Sequence, residues 1–146
     1  KKPVHVFTDV PPYSDATYTV EVGDTGEASA VGQIVLGRSY VIGETLFGVR
    51  VGIEDFSIKE RNAFGEPVLT VGNFADTVDF PVKVQSQAMD RIKTLLSSFR
   101  ATPIVWTAGD DTDQFGTTVY GYYEDWYTVI SNPQATQINI EVQGLT

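Results

Sequence analysis

Two adjacent acid pairs, Glu54-Asp55 and Glu124-Asp125, are the first groups in this chain whose type and spacing could make or break bonds. Paired carboxylates carry glycoside hydrolysis, one as acid and the other as base or nucleophile. Neighbouring residues of a strand point to opposite faces, so each pair offers at most one inward carboxylate. The plainer role of such acids is to end β ladders or to accept bonds from turn amides. The pairs also echo each other as Glu54-Asp55-Phe56 and Glu124-Asp125-Trp126, which fits two convergent β hairpins better than a duplication. Asp110, Asp111 and Asp113 could offer oxygen ligands to Ca²⁺. Counted from Asp111, however, Phe115 occupies a ligand position and Tyr122 stands where the bidentate Glu belongs. That loop reads as solvated.

The remaining reactive types are scarce. His5 is the sole histidine, so one chain cannot build a two-histidine metal site, and it reads as a bystander in a polar terminal context. With no cysteine, disulfides, thiolate catalysis and cysteine-based zinc sites are excluded. Gly23-Asp24-Thr25-Gly26 has neither the spacing nor the lysine of a phosphate loop. The sequence therefore predicts no catalytic residue, no cofactor and no metal site, and a protein that is not an enzyme.

What remains is a dense aromatic run: Tyr120, Tyr122, Tyr123, Trp126 and Tyr127. Alternation puts Tyr120 and Tyr122 on one face and Gly121 and Tyr123 on the other. Some of these rings belong to the core. The run still exceeds what one face of a small domain can bury, so all five are candidates for an interface with a protein partner. The same rings could instead form a sugar-stacking platform. Trp106 and Phe99 are expected in the core.

Composition narrows the partners. A net charge of −9 disfavours phosphate-backbone binding, because affinity for nucleic acid comes mainly from Lys and Arg. No apolar run approaches the roughly 20 residues needed to span a bilayer, so no membrane insertion is expected. Hydrophobic content of 42% with 20% charged residues is that of a folded globular chain, and 146 residues fit one domain.

The elements that must position these residues are mostly strands. Val4–Thr8 and Thr17–Val22 read as short strands, with Pro11-Pro12 between them. Tyr40–Ile42, Leu46–Phe56 and Val68–Val71 follow, and Lys59–Glu66 reads as a charged turn. Val78, Phe80, Val82 and Val84 alternate with polar neighbours, and Pro81 puts that strand at an edge or bulge, or demands that its position donate nothing. Met89, Ile92, Leu96 and Phe99 recur at steps of three and four, which predicts a helix over 86–99 with Ser86 as its N-cap. Pro103 forbids its continuation. Pro103–Thr107 is then a short strand, Thr117–Ile130 a long one interrupted near Glu124-Asp125, and Thr136–Val142 an alternating one with Ile138, Ile140 and Val142 inward. The expected fold is mainly β with one helix: an antiparallel β-sandwich or split barrel with a single α-helix, about 86–99, packed on the sheet. Residues 1–146 are expected to form a single domain, with 1–39 as an N-terminal arm or edge strands and 40–146 as the core domain.

Several of these segments, taken together, resemble a domain of long-tailed bacteriophage and prophage tails. The likeness rests on Gly43-Glu44-Thr45-Leu46-Phe47-Gly48, Ile53–Glu60, Arg100-Ala101-Thr102-Pro103-Ile104-Val105-Trp106, Val119–Trp126 and Ile140–Leu145, and covers roughly the last two-thirds of the chain. It implies a tail-tip structural protein, similar to distal-tail or baseplate proteins, whose partners are other copies of itself in a ring and neighbouring tail proteins. Made in the host cytoplasm, it would reside in the virion. Nothing in the likeness carries over an active-site residue. A rival from another class is a non-catalytic carbohydrate-binding module on a tail or secreted protein.

Overall fold

The computed structural model describes residues 4–7, 10, 13–23, 30–109, 115–130 and 133–145. The chain divides into two units, Lys1–Tyr40 and Val41–Thr146.

In the first unit the described residues form neither helix nor strand, and all of them are exposed. The strands expected at residues 4–7 and at Thr17–Val22 are not formed there. Alternation supplies only half of what a strand needs; the other half is a ladder partner, since a backbone edge gains nothing by being extended alone.

The second unit is built on one curled antiparallel sheet that forms a half-barrel with the helix packed on it. Its strands are β1 (Glu44–Thr45), β2 (Arg50–Asp55), β5 (Phe74–Gln85), β6 (Ile104–Trp106), β7 (Val119–Val129) and β8 (Ala135–Gly144). The order across the sheet is β1-β5-β8-β7-β6, with β2 pairing the same edge of β5 as β1 does. Strands β3 (Ile58–Arg61) and β4 (Pro67–Thr70) form a separate two-stranded ribbon between β2 and β5. The segment expected as a charged turn over 59–66 is therefore a strand followed by a tight turn. Asn62 makes the turn: its Oδ1 accepts the amides of Phe64 and Glu66, and its Nδ2 donates to the Glu66 carboxylate.

Even-numbered residues of β5 and β8 carry the core. Val78, Phe80, Val82 and Val84 meet Ile138, Ile140 and Val142 on one face, and α1 (Met89–Ser98) covers that face with Ile92 and Leu96. Fully burying such a side chain contributes roughly 1.5–3 kcal/mol. An exposed ion pair, such as Arg50–Asp79 at 3.9 Å, contributes about 0–1 kcal/mol. The helix–sheet layer is what stabilises this unit.

Two expectations about local chemistry are corrected. Ser86 is not a helix N-cap but the first residue of a 3₁₀ turn, Ser86–Ala88, that precedes α1; its amide donates to the Gln134 carbonyl at 3.3 Å. Pro81 does not lie in an edge strand, because β5 is paired on both sides; on the β1–β2 side it faces an irregularity, where residues 46–49 stand opposite residues 80–81. The weaker demand, that its position donate nothing, is met. The Pro81 carbonyl accepts the Leu46 amide at 2.8 Å, so its nitrogen faces the same edge, where β1 has just ended at Thr45. The missing N–H falls at the gap between β1 and β2 and breaks no continuing ladder.

Candidate functional site

The aromatic run lies on β7, and an irregularity in that strand sorts its rings. Tyr123 pairs with Val142 but Asp125 with Glu141, so Glu124 is an extra residue, a β-bulge. Before the bulge, Val119, Gly121 and Tyr123 face the helix; after it, Trp126 does so. An uninterrupted strand would have put Tyr123 and Trp126 on opposite faces, being three residues apart.

Tyr123 and Trp126 accordingly pack against the core. The Tyr123 ring meets Trp106 edge-on, with centroids 6.2 Å apart and planes at 83°, and its hydroxyl donates to the Leu96 carbonyl at 2.9 Å. Trp106 is itself buried and donates its indole N–H to the Gly121 carbonyl at 3.2 Å. Tyr120, Tyr122 and Tyr127 belong to the opposite face of the sheet, Tyr120 and Tyr122 half-buried and Tyr127 exposed. Of the five candidate interface residues, the sheet thus brings three to its outer face and sends two toward the helix.

That outer face is organised in cross-strand rows. One row runs Arg50, Asp79, Glu141, Asp125 across β2, β5, β8 and β7, so three carboxylates follow one guanidinium. A second includes Thr77, Gln143 and Tyr122. Gln143, only 8% exposed, holds that row together: its Nε2 donates to the Glu54 carboxylate at 2.6 Å, and its Oε1 accepts the Tyr122 hydroxyl. Glu54 reaches β8 across β5, where its ladder partner is the small Ala75. Sequence alternation extends the outward set Gln137, Asn139, Glu141 to Gln143, but the long-range partner Glu54 leaves no local signal. Farther along, Tyr127, Val129, Gln137 and Asn139 line an open hollow of about 240 Å³.

One acid of each pair, Asp55 and Asp125, accepts a nearby backbone amide. Asp55 accepts the amide and hydroxyl of Ser57 and pairs with Lys59 at 2.8 Å. The Lys59 contact first, then the Ser57 bonds, hold its carboxyl far below the usual carboxylate range. Asp125 accepts the amide of Trp126 at 2.8 Å. The echo between the pairs is not structural, since Glu54-Asp55 ends β2 whereas Glu124-Asp125 forms the bulge inside β7. Asp110, Asp111 and Asp113 lie outside the described residues. Among the described residues, no three His, Asp or Glu side chains gather as metal ligands.

No protein-family model matches this chain, and no curated protein matches it. Among the described residues, no helix is long and apolar enough to cross a membrane.

A surface that sequence patterning did not single out is the β3–β4 ribbon. Phe64 at its tip is 91% exposed and Val71 at its base 90%, with Leu69 also largely bare. Every residue of both strands is exposed. An isolated two-stranded hairpin is marginal in water. Polar networks hold this one at each end: Asn62 at the tip, and at the base Asp55 with Ser57, whose hydroxyl accepts the Gly72 amide at 3.0 Å. The signal in the sequence was Asn62-Ala63-Phe64-Gly65, a turn-forming stretch; the charged run Lys59-Glu60-Arg61 before it hid the strand β3.

Proposed function

We propose that this chain is a structural component of a bacteriophage tail tip, assembling as a ring through repeated contacts between its copies and with neighbouring tail proteins. The observation that carries the assembly reading is the bare apolar surface of the β3–β4 ribbon. Large apolar side chains left this bare along one ribbon, Phe64, Leu69 and Val71, are the kind of exposure that interaction sites show. The outward tyrosines of β7 supply a second patch on a different surface. Two unlike patches suit a heterologous contact, one presented to each neighbour, which closes into a ring when the rotation permits. The place in a phage tail comes from the sequence resemblance. The acidic row Asp79, Glu141, Asp125 suits a surface that repels the DNA backbone, as a channel lining would need.

Mass measurement across a concentration series tests assembly directly. A closed oligomer that weakens in Phe64→Ser and Val71→Ser is the expected result. A chain that stays monomeric at all concentrations overturns the reading. Microscopy of the particle tests the place in the tail, and acids turned away from the bore would defeat the channel role.

One observation favours a second reading. The Tyr127 hollow sets an exposed ring beside the amides of Gln137 and Asn139, a pairing of stacking surface and hydrogen-bonding groups that suits a sugar. Glycan binding by the chain, lost in Tyr127→Ala without loss of assembly, would favour a carbohydrate-binding module. Tyr127 is a cleaner probe than Trp126, whose ring packs against the core.

A further inference from the structure

Strand β2 presents six residues, Arg50–Asp55, and all their ladder partners lie on β5. Among the described residues its other edge has no ladder partner. Partners in a ladder share a face, so Val51 and Ile53 lie on the helix-bearing side of the sheet beside Val78 and Asp76. They remain 56% and 65% exposed. Among the described residues, that edge therefore offers backbone groups outside any ladder together with two half-bare aliphatic side chains, the arrangement most open to strand addition.

Thr17-Tyr18-Thr19-Val20-Glu21-Val22 has the side-chain pattern that such an edge accepts. It alternates β-branched and aromatic residues over six positions, forms no strand, and leaves Val20 and Val22 more than half exposed. We propose that Thr17–Val22 of one copy adds as an antiparallel strand to the free edge of β2 in the next copy. The inference rests on the assembly reading above and names one of its contacts.

Chemistry selects the register. Every ladder of the sheet is antiparallel, so the added strand continues that pattern. A shift by one residue would turn Tyr18, Val20 and Val22 onto the polar face. Two even shifts remain in contention. Placing Val22 opposite Val51 puts Glu21 opposite Gly52 and Thr19 opposite Glu54, and leaves Arg50 opposite a glycine. Placing Val20 opposite Val51 sets Tyr18 opposite Ile53, Thr19 opposite Gly52 and Glu21 opposite Arg50. The second register pairs each apolar side chain with an apolar one and joins opposite charges. Arg50 can accept such a partner: its side chain is 84% exposed and its contact with Asp79 is a loose 3.9 Å. Main-chain bonds would supply the affinity and the alternate side chains the specificity, as in other strand additions.

The chain has no cysteine, so disulfide trapping starts from a clean background. The full-length chain would be prepared as Val20→Cys, as Val51→Cys, and as both together. Opposed strand residues place their Cα atoms about 4.5–5.5 Å apart, within disulfide reach. Mixing the single variants under mild oxidation is expected to give a linked dimer. The double variant is expected to give a ladder of linked oligomers ending at the ring. Thr19→Cys with Val51→Cys, displaced by one residue onto the other face, should link at least about tenfold less. A monomeric intrachain disulfide in the double variant would overturn the inference, because the segment would then complete its own sheet. Rings that form without any crosslink would overturn it while leaving the assembly reading standing. A cysteine-free chain that never leaves the monomer would overturn both.

Discussion

The hydroxyl of Tyr123 donates to the backbone carbonyl of Leu96 at 2.9 Å, tying the middle of β7 to the last turn of α1. Carbonyls in that turn lack an intrahelical partner further on. Phe99 meets this need in part, its amide donating to Leu95 and Leu96 at 3.3 and 3.1 Å. Tyr123 supplies Leu96 with a second donor from another element. Tyr123→Phe keeps the ring on Trp106 and removes only that donor, so it should lower unfolding stability by about 1 kcal/mol. Tyr123→Ala should cost roughly 3–5 kcal/mol, since the ring and its edge-on contact go as well. Denaturant unfolding distinguishes the two; equal losses would mean the hydrogen bond contributes nothing.

Gln143 allows a double-mutant cycle. Tyr122→Phe leaves the buried Oε1 of Gln143 without its donor, at an expected cost of about 1–3 kcal/mol. On a Gln143→Leu background the same change has no amide to strand, and its cost should fall below about 0.5 kcal/mol. Glu54 lies in an exposed strand and returns to water in that background. Additive costs in chemical denaturation would show that the row Glu54, Gln143, Tyr122 is not coupled.

Much of the half-barrel was legible because burial imposes a period. Val78 to Val84 and Ile138 to Val142 alternate strictly, and Ile92 with Leu96 repeat at helical spacing, so those elements announce themselves. The bulge was visible only as an interruption near Glu124-Asp125. Its consequence, moving Trp126 to the face of Tyr123, depends on which β8 residues oppose it, and register is not written in either strand alone. Thr17–Val22 shows the converse. Its alternation is as regular as that of β8, yet it forms no strand, since pattern alone does not make a ladder. The link from Glu54 to Gln143 spans 89 positions and rests on the smallness of Ala75 between them, a relation with no local signature.

At the base of the ribbon the prediction concerns pH. Asp55 has a folded pKa depressed by Lys59 and Ser57, so its contribution is present above the ordinary carboxyl value of about 3.9 and is lost as pH falls through the depressed one. At pH 3 the Asp55 side-chain carbon should still show the ionised shift by NMR. The Gly72 amide, bonded to Ser57 Oγ, should keep its exchange protection there. Asp55→Asn should lose that protection at every pH while changing global stability little, as expected for an exposed pair. Protonation of Asp55 at the ordinary value would refute the assignment.

Gly121 sits where β7 faces Gly144 of β8, and a methyl built on it would meet the Gln143 carbonyl oxygen at 1.9 Å. The obstacle is backbone, which cannot rotate away. Gly121→Ala should therefore cost about 3 kcal/mol or more, at or beyond the upper end for overpacking. Gly109→Ala, with nothing within 4 Å, should stay within about 0.5 kcal/mol. Thermal unfolding of the pair gives the contrast. Similar midpoints would mean that β7 and β8 can separate at this point without loss.

Thr136 offers a change in the stabilising direction. It lies opposite Val84, is 2% exposed, and its hydroxyl is buried without a hydrogen-bond partner among the described residues. Burying an unpaired hydroxyl costs about 1–3 kcal/mol on the scale of protein mutations. Thr136→Val has nearly the same shape, keeps the β-branched side chain favoured in strands, and removes the stranded group. The variant should unfold about 1 kcal/mol later, read as a higher denaturant midpoint at unchanged slope. A lower midpoint would reveal a bond made by the hydroxyl in solution, and with it a polar contact inside the layer between β5, β8 and α1.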